Sequence, residues 1–257
     1  MENVENAIEV RNLFIKYKTL KQTSIRKSLF KLKKAKQKEH EALKGISFDV
    51  KKGEILGIIG SNGSGKSTLL KAIAGIFSAD SGEINLYSKS VSLIAIGKGF
   101  DKKLTGRENI RLTGMLLGFS KAEIEAKIPK IIEFANLGNF IDMPVKTYSS
   151  GMFSKLSFSI NTILLTDIIL VDEVLSVGDE EFRRKSKRRM KKVISSKKRT
   201  VMLVTHNMNE IQKLCDRVMW LEQGNIKMLG ETQEVISAYI DYNDLKIAAN
   251  GKAKTSG

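Results

Sequence analysis

Short, mostly apolar runs alternate along the chain with longer stretches in which apolar residues return at helical spacing. The clearest runs are EILGII (54–59), DIILV (167–171), TVMLV (200–204) and RVMWLE (217–222). Runs of this kind predict strands covered on both faces, the habit of parallel sheets flanked by helices. Between the first run and the others the texture changes. From about residue 105 to 139 the pattern is helical, and LTGRENI and SKAEIEAKI each set a hydroxyl three residues ahead of a glutamate, Thr105 with Glu108 and Ser120 with Glu123. That spacing predicts capping boxes at two helix starts. Ile124, Ile128, Ile131, Ile132 and Ala135 then form an apolar stripe, on a helix that Pro129 is expected to kink or interrupt. The pattern predicts an α/β layer architecture with a largely parallel sheet and an inserted helical subdomain.

A length of 257 residues suffices for one large domain, or a domain with a subdomain. The single cysteine, Cys215, excludes an internal disulfide framework and fits a reducing compartment, as a small buried apolar residue. MENVENAIEV carries acids and no apolar run, so it does not read as a secretory signal. No charge-free apolar span reaches the roughly eighteen residues that a membrane crossing requires. The last fifteen residues, ending ANGKAKTSG, are polar and are expected to form a loose tail from 243 to 257.

The formal net charge of +16 is concentrated in two places. Residues 21–38 hold eight Lys or Arg and no acid, and RRKSKRRMKK (183–192) holds eight more and no acid. Setting those sixteen aside leaves 28 basic residues against 28 acidic ones, so the remainder is balanced. In the first cluster Ile25, Leu29 and Leu32 fall at helical spacing among lysines. This is the pattern of a basic amphipathic helix facing anionic lipid or a phosphorylated substrate, or else of a solvated loop. The second cluster reads as an exposed helix face.

GSNGSGKST follows the first apolar run directly and precedes a helical pattern. It matches the phosphate-loop spacing, in which backbone N–H groups of Gly60, Ser61, Asn62, Gly63, Ser64, Gly65 and Thr68 surround phosphates, Lys66 reaches the β and γ oxygens, and Ser67 ligates Mg²⁺. IILVDE (168–173) ends a buried strand in two carboxylates, Asp172 for the Mg²⁺ shell and Glu173 to polarise an attacking water. His206 follows the strand TVMLV and is a candidate γ-phosphate contact. YSSGM (148–152) reads as a second anion-binding helix start, with Pro144 upstream and Ser149 and Ser150 free to accept bonds from the first N–H groups.

GSNGSGKST, YSSGM, ILVDEVLSVGD and VTHN, in this order and spacing, resemble the nucleotide-binding subunit of ATP-binding cassette transporters over roughly residues 8 to 240. The resemblance implies a single ABC ATPase domain at 1–242, with a P-loop core, a mixed, largely parallel sheet and an N-terminal antiparallel β portion. It also implies a helical subdomain at about 100–160 and a basic insertion at about 20–40. YSSGM stands where the family has its LSGGQ signature, Asp179 where it has its D-loop, and His206 where it has its switch histidine. Two such cassettes sandwich ATP head to tail, so the resemblance assigns Ser149, Ser150 and Gly151 to nucleotide held by the opposite subunit. It assigns Tyr17, with Phe14 behind it, to the adenine, and it implies a homodimer on an integral membrane permease.

LTGRENI, FANLGNFIDMPVKTYSSGM and VDEVLSVGDEEF are similar to the subgroup that exports lipid-linked cell-surface polymers such as teichoic acids and O-antigens. That implies a peripheral protein on the cytoplasmic face of the membrane, hydrolysing ATP with Mg²⁺ to move a glycopolymer. At 257 residues the chain is not expected to carry the carbohydrate-binding domain that larger members append. It departs from the family in two places: a Q-loop glutamine is expected near LIAIGKGF (93–100), yet none occurs between Gln37 and Gln212, and Ser150 and Met152 replace the usual signature Gly and Gln. The alternative, a nucleic-acid ATPase of the same superfamily, would bring a long coiled coil or a second cassette, and the sequence has neither.

Overall fold

A computed structural model describes residues 5–19, 38–88, 90–94, 99–172 and 178–254. Of the first basic cluster, 21–38, all but Lys38 lies outside them, as does the amphipathic helix expected there. In chain order the elements are β1 (Asn6–Thr19), β2 (Lys38–Lys51), β3 (Ile55–Ile59), α1 (Lys66–Ile73), β4 (Ser81–Leu86), β5 (Val91–Ile94), α2 (Gly106–Leu116), α3 (Lys121–Ala135) and α4 (Ser150–Ile163). They continue with β6 (Ile168–Asp172), α5 (Glu180–Ser195), β7 (Thr200–Val204), α6 (Met208–Leu214), β8 (Arg217–Glu222), β9 (Asn225–Glu231) and α7 (Thr232–Lys254).

Among the described residues the strands form two sheets. One is antiparallel, in the order β2-β1-β4; the other runs β5-β6-β7-β3-β8-β9. In the second sheet β5, β6, β7, β3 and β8 pair in parallel and β9 closes the edge antiparallel to β8. All four apolar runs are strands of this sheet, and β3 and β7 are buried at every position. The two sheets enclose α1: Ile8, Val10 and Leu13 of β1 pack with Leu56, Ile58, Leu69, Leu70 and Leu170 in one core. Register decides where the chemistry falls. Asp172 lies level with Val204, and Val204 level with Ile58, so the carboxyl ends of β6, β7 and β3 open side by side at one rim of the sheet.

The helical layer is α2, α3 and α4, with a core of Ile110, Ile124, Ile128, Ile131, Leu156 and Ile160. Both capping boxes form: Thr105 accepts from the Glu108 backbone and Ser120 from the Glu123 backbone, and each glutamate reaches back. Pro129 does not interrupt its helix, because α3 runs unbroken from Lys121 to Ala135. The proline sits on the solvent face, where the carbonyl it leaves without a partner can be hydrated, while Ile124, Ile128 and Ile131 hold the opposite face in the core.

Asn109, wholly buried, ties the entry to this layer. Its Oδ1 accepts from the Asp101 backbone N–H at 2.9 Å, and its Nδ2 donates to the carbonyls of Asp101, Leu104 and Thr105 at 3.0, 3.2 and 2.9 Å. Asn109→Leu keeps the branched shape and strands these groups, so a stability loss of about 1–3 kcal/mol is expected, read as a lower denaturant midpoint at unchanged m-value.

The C-terminal segment corrects an expectation: residues 243–254, read as loose tail, continue α7 to Lys254. Its first turns are anchored by the buried Val235 and Ile236 and by Tyr239 and Tyr242, whose rings lie 5.3 and 5.0 Å from Trp220. Leu245, Lys246, Ala248 and Ala249 are strong helix formers that propagate the helix from that anchor. Cys215 packs its sulfur against Gly57 of β3, where an added Cβ would come within 2.9 Å, and burial pushes its thiol up to about 12.

Candidate functional site

The loop between β3 and α1 is shaped by backbone that only glycine tolerates. Gly60 has φ 147°, and a Cβ there would meet the carbonyl oxygen of Leu221 on β8 at 1.9 Å. Gly65, at the start of α1, has φ 109°, and its Cβ would come within 2.6 Å of the Ala42 carbonyl on β2. Neighbouring elements staple the loop. Gly224 N–H donates to the Ser64 carbonyl at 3.0 Å, Lys44 N–H donates to the Gly224 carbonyl at 2.9 Å, and the Ser61 hydroxyl donates to Glu222 at 3.0 Å. Lys66 is buried, and its ammonium donates to the carbonyls of Gly60 and Ser61, both at 2.8 Å.

The level strand ends bring the remaining groups to this loop. The Ser67 hydroxyl donates to Asp172 Oδ1 at 3.2 Å, joining α1 to the end of β6. Tyr17 from β1 shares a hydrogen bond of 3.0 Å with Thr68, and its ring meets Phe77 edge-on. Tyr17, His40, Ala42, residues 62–68, Asp172, Val204 and His206 line one cleft of about 270 Å³. Ten expected residues from four separate stretches of the chain thus converge: Tyr17, residues 62–68, Asp172 and His206. His40 was not foreseen, since it belongs to no motif and reaches the cleft only through the pairing of β2 with β1. Glu173 lies outside the described residues, as do residues 95–98, in the stretch where the family's Q-loop glutamine is expected.

The second anion-site candidate is a helix start, and it stands apart from this cleft. Ser149 caps α4 by accepting from the Met152 N–H at 3.2 Å, and Ser149 and Ser150 are exposed. Among the described residues, neither they nor Gly151 line the cleft that holds Lys66. Asp179 caps α5 by accepting from the Phe182 N–H at 2.9 Å and forms an ion pair with Lys155 of α4. The ammonium of Lys155, with the Phe182 N–H behind it, holds the Asp179 carboxyl below its ordinary value. A depressed carboxyl pKa means that the pair persists through the neutral range and is lost only on acidification beyond the ordinary carboxylate range.

Lys155 therefore joins the helix that begins at Ser149 to the turn that carries Asp179. On the ATPase activity that the resemblance implies, Lys155→Met is expected to lower ATP turnover several-fold with little change in melting temperature, since an exposed ion pair adds little to stability. Parallel turnover and thermal-shift measurements check this.

A helix start, a lysine and a serine–aspartate pair converging on one cleft suit a polyphosphate, the chemistry expected of a phosphate-loop protein. Comparison with known proteins narrows the class. The chain belongs to the ABC transporter family, whose profile matches residues 43–176. It is 46% identical over 241 residues to the teichoic acids export ATP-binding protein TagH of Enterococcus faecalis, covering 92% of this chain and 53% of that one. It is 41% identical over 206 residues to the O-antigen export system ATP-binding protein RfbB of Klebsiella pneumoniae, covering 79% of this chain and 82% of that one. The chain spans about half the length of the teichoic-acid export relatives it matches.

Solved structures share the fold. A dimeric ATP-binding cassette in a post-hydrolysis state, bound to ADP and Pi, matches with TM-score 0.66 at 20% identity, covering 88% of this chain and 98% of that one. An ATP-binding subunit of an ABC transporter matches with TM-score 0.68 at 23% identity, covering 91% and 93%.

Proposed function

We propose that the protein is the ATP-hydrolysing subunit of an exporter that moves a lipid-linked cell-surface glycopolymer, a teichoic acid or related polysaccharide, across the cytoplasmic membrane. The observation that carries this reading is the cleft in which Lys66, Ser67, Asp172 and His206 meet, in a chain with 41–46% identity to relatives named for such export. Ser67 and Asp172 offer hard oxygen ligands suited to Mg²⁺, which when bound would neutralise phosphate charge. The backbone N–H groups of the loop and α1 hold the phosphates, and Lys66 leaves its loop carbonyls for the β and γ oxygens. His206 contacts the γ-phosphate from the end of β7, and Glu173, next in sequence to Asp172, is the proposed general base. Ser149, Ser150 and Gly151 serve nucleotide held by a second copy, with Asp179 beside them.

Among the described residues no helix is long and apolar enough to cross a membrane. In this reading a membrane permease carries the polymer and the ATPase drives it. The protein then works as a homodimer, peripheral on the cytoplasmic face and close to the membrane surface. The basic run on α5 gives little support to a nucleic-acid role. Arg183 and Arg184 pair with Glu180 and Lys187 with Glu210, while Lys185 and Arg189 donate to the carbonyls of Phe134 and Thr162.

The reading is tested by purifying the tagged chain from membranes in mild detergent and identifying what accompanies it. A polytopic membrane subunit with a retained lipid-linked glycan is the expected result. Recovery of nucleic acid instead, with binding that falls steeply with salt and no membrane partner, would overturn it.

A further inference from the structure

Both histidines of the chain line the nucleotide cleft, although only His206 stands in a motif. His40 is the register partner of Tyr17 across the β1–β2 pair, which sets the two side chains on one face with Cβ atoms about 5 Å apart. The two rings are held differently. Tyr17 is anchored, its hydroxyl on Thr68 at 3.0 Å and its ring against Phe77 at 5.7 Å between centroids. His40 is exposed, and its imidazole has no hydrogen-bond or ion-pair partner among the described residues. Beside it, Glu41 is engaged with Lys16 at 3.2 Å. The cleft continues past His40 into a second concavity bordered by Glu39, Lys44 and Gln223.

We propose that His40 is a second base-contacting residue, which with Tyr17 forms a two-ring clamp on the purine of the bound nucleotide. This rests on the nucleotide reading of the cleft. Phosphates seated at Lys66 and Ser67 leave the rest of the nucleotide to occupy the part of the cleft beyond Thr68, where Tyr17 and His40 stand together. An imidazole suits that position twice over: its flat face stacks on a purine, and its ring nitrogens can donate to or accept from the purine edge. The competing role is set by Gly63 at the tip of the phosphate loop, which borders both concavities with His40 and would let the imidazole reach phosphate instead.

Two ligands separate these roles. ATP carries base and phosphates, whereas inorganic tripolyphosphate carries phosphates alone. His40→Ala is expected to weaken ATP binding and raise the KM for ATP by about 3- to 10-fold, the range of one aromatic stacking contact, with kcat within about twofold of wild type. Tripolyphosphate binding should be unchanged, and His40→Phe should recover most of the lost ATP affinity. Unchanged ATP affinity, equal weakening of both ligands, or a fall in kcat at constant KM would each overturn the clamp. If the wild-type chain binds tripolyphosphate but not ATP, the nucleotide reading itself fails, an outcome distinct from failure of the His40 assignment.

Discussion

Lys66→Ala is expected to reduce ATP hydrolysis by about 10²-fold or more, the scale on which loss of a preorganised charge at a developing phosphoryl oxyanion is felt. The buried ammonium is held on the carbonyls of Gly60 and Ser61, so it is positioned before any ligand arrives. The same bonds mean that the alanine variant also strands two loop carbonyls, and part of the loss could then come from a disordered loop. Lys66→Met keeps the volume of the stem but has no donor, so it strands the same carbonyls and separates lost packing from the lost ammonium. If charge is what matters, both variants lose turnover alike and Met restores only thermal stability. Hydrolysis within about tenfold of wild type in either variant would remove Lys66 from the chemistry.

The second large effect concerns partnership. Ser149 starts α4 outside the cleft that holds Lys66, and in the proposed head-to-tail dimer it is expected to serve the nucleotide of the other copy. A mixed dimer of one Lys66→Ala and one Ser149→Arg subunit then puts both lesions in one composite site and leaves the other wild type. Purified mixed dimers are expected to regain ATPase activity that neither mutant homodimer shows. Mixed dimers as inactive as both parents, while dimers of wild type with either mutant remain active, would count against the arrangement.

The parts of this site that could be read from sequence are those whose chemistry demands contiguous residues. A loop that wraps phosphate with its own backbone has to be Gly-rich and run straight into a helix, so Gly60 to Thr68 announce themselves. Asp172 and His206 were legible for a related reason, since each follows a buried apolar run and so marks a strand end. What stayed hidden depends on register and on distance along the chain. His40 enters the cleft because β2 pairs with β1 at Tyr17, and Lys155 meets Asp179 across 24 residues; neither pairing leaves a local signal. Pro129 and the C-terminal segment were misjudged for the opposite reason. Local rules favoured a break or a tail, and they were outweighed by an apolar face already anchored on one side of each helix.

The chain's single cysteine has a practical consequence for testing these contacts. With its thiol raised to about 12 by burial against β3, Cys215 is only about one part in 10⁴ thiolate at pH 8, whereas an exposed cysteine near its ordinary pKa of about 8.5 is about a quarter ionised. A thiol-directed reagent therefore favours the exposed cysteine strongly. Ser149→Cys can be labelled or bridged to a phosphate loop in the native background, without first removing Cys215 and risking the packing of Gly57. The wild-type chain, carried through the same reaction, serves as its own blank.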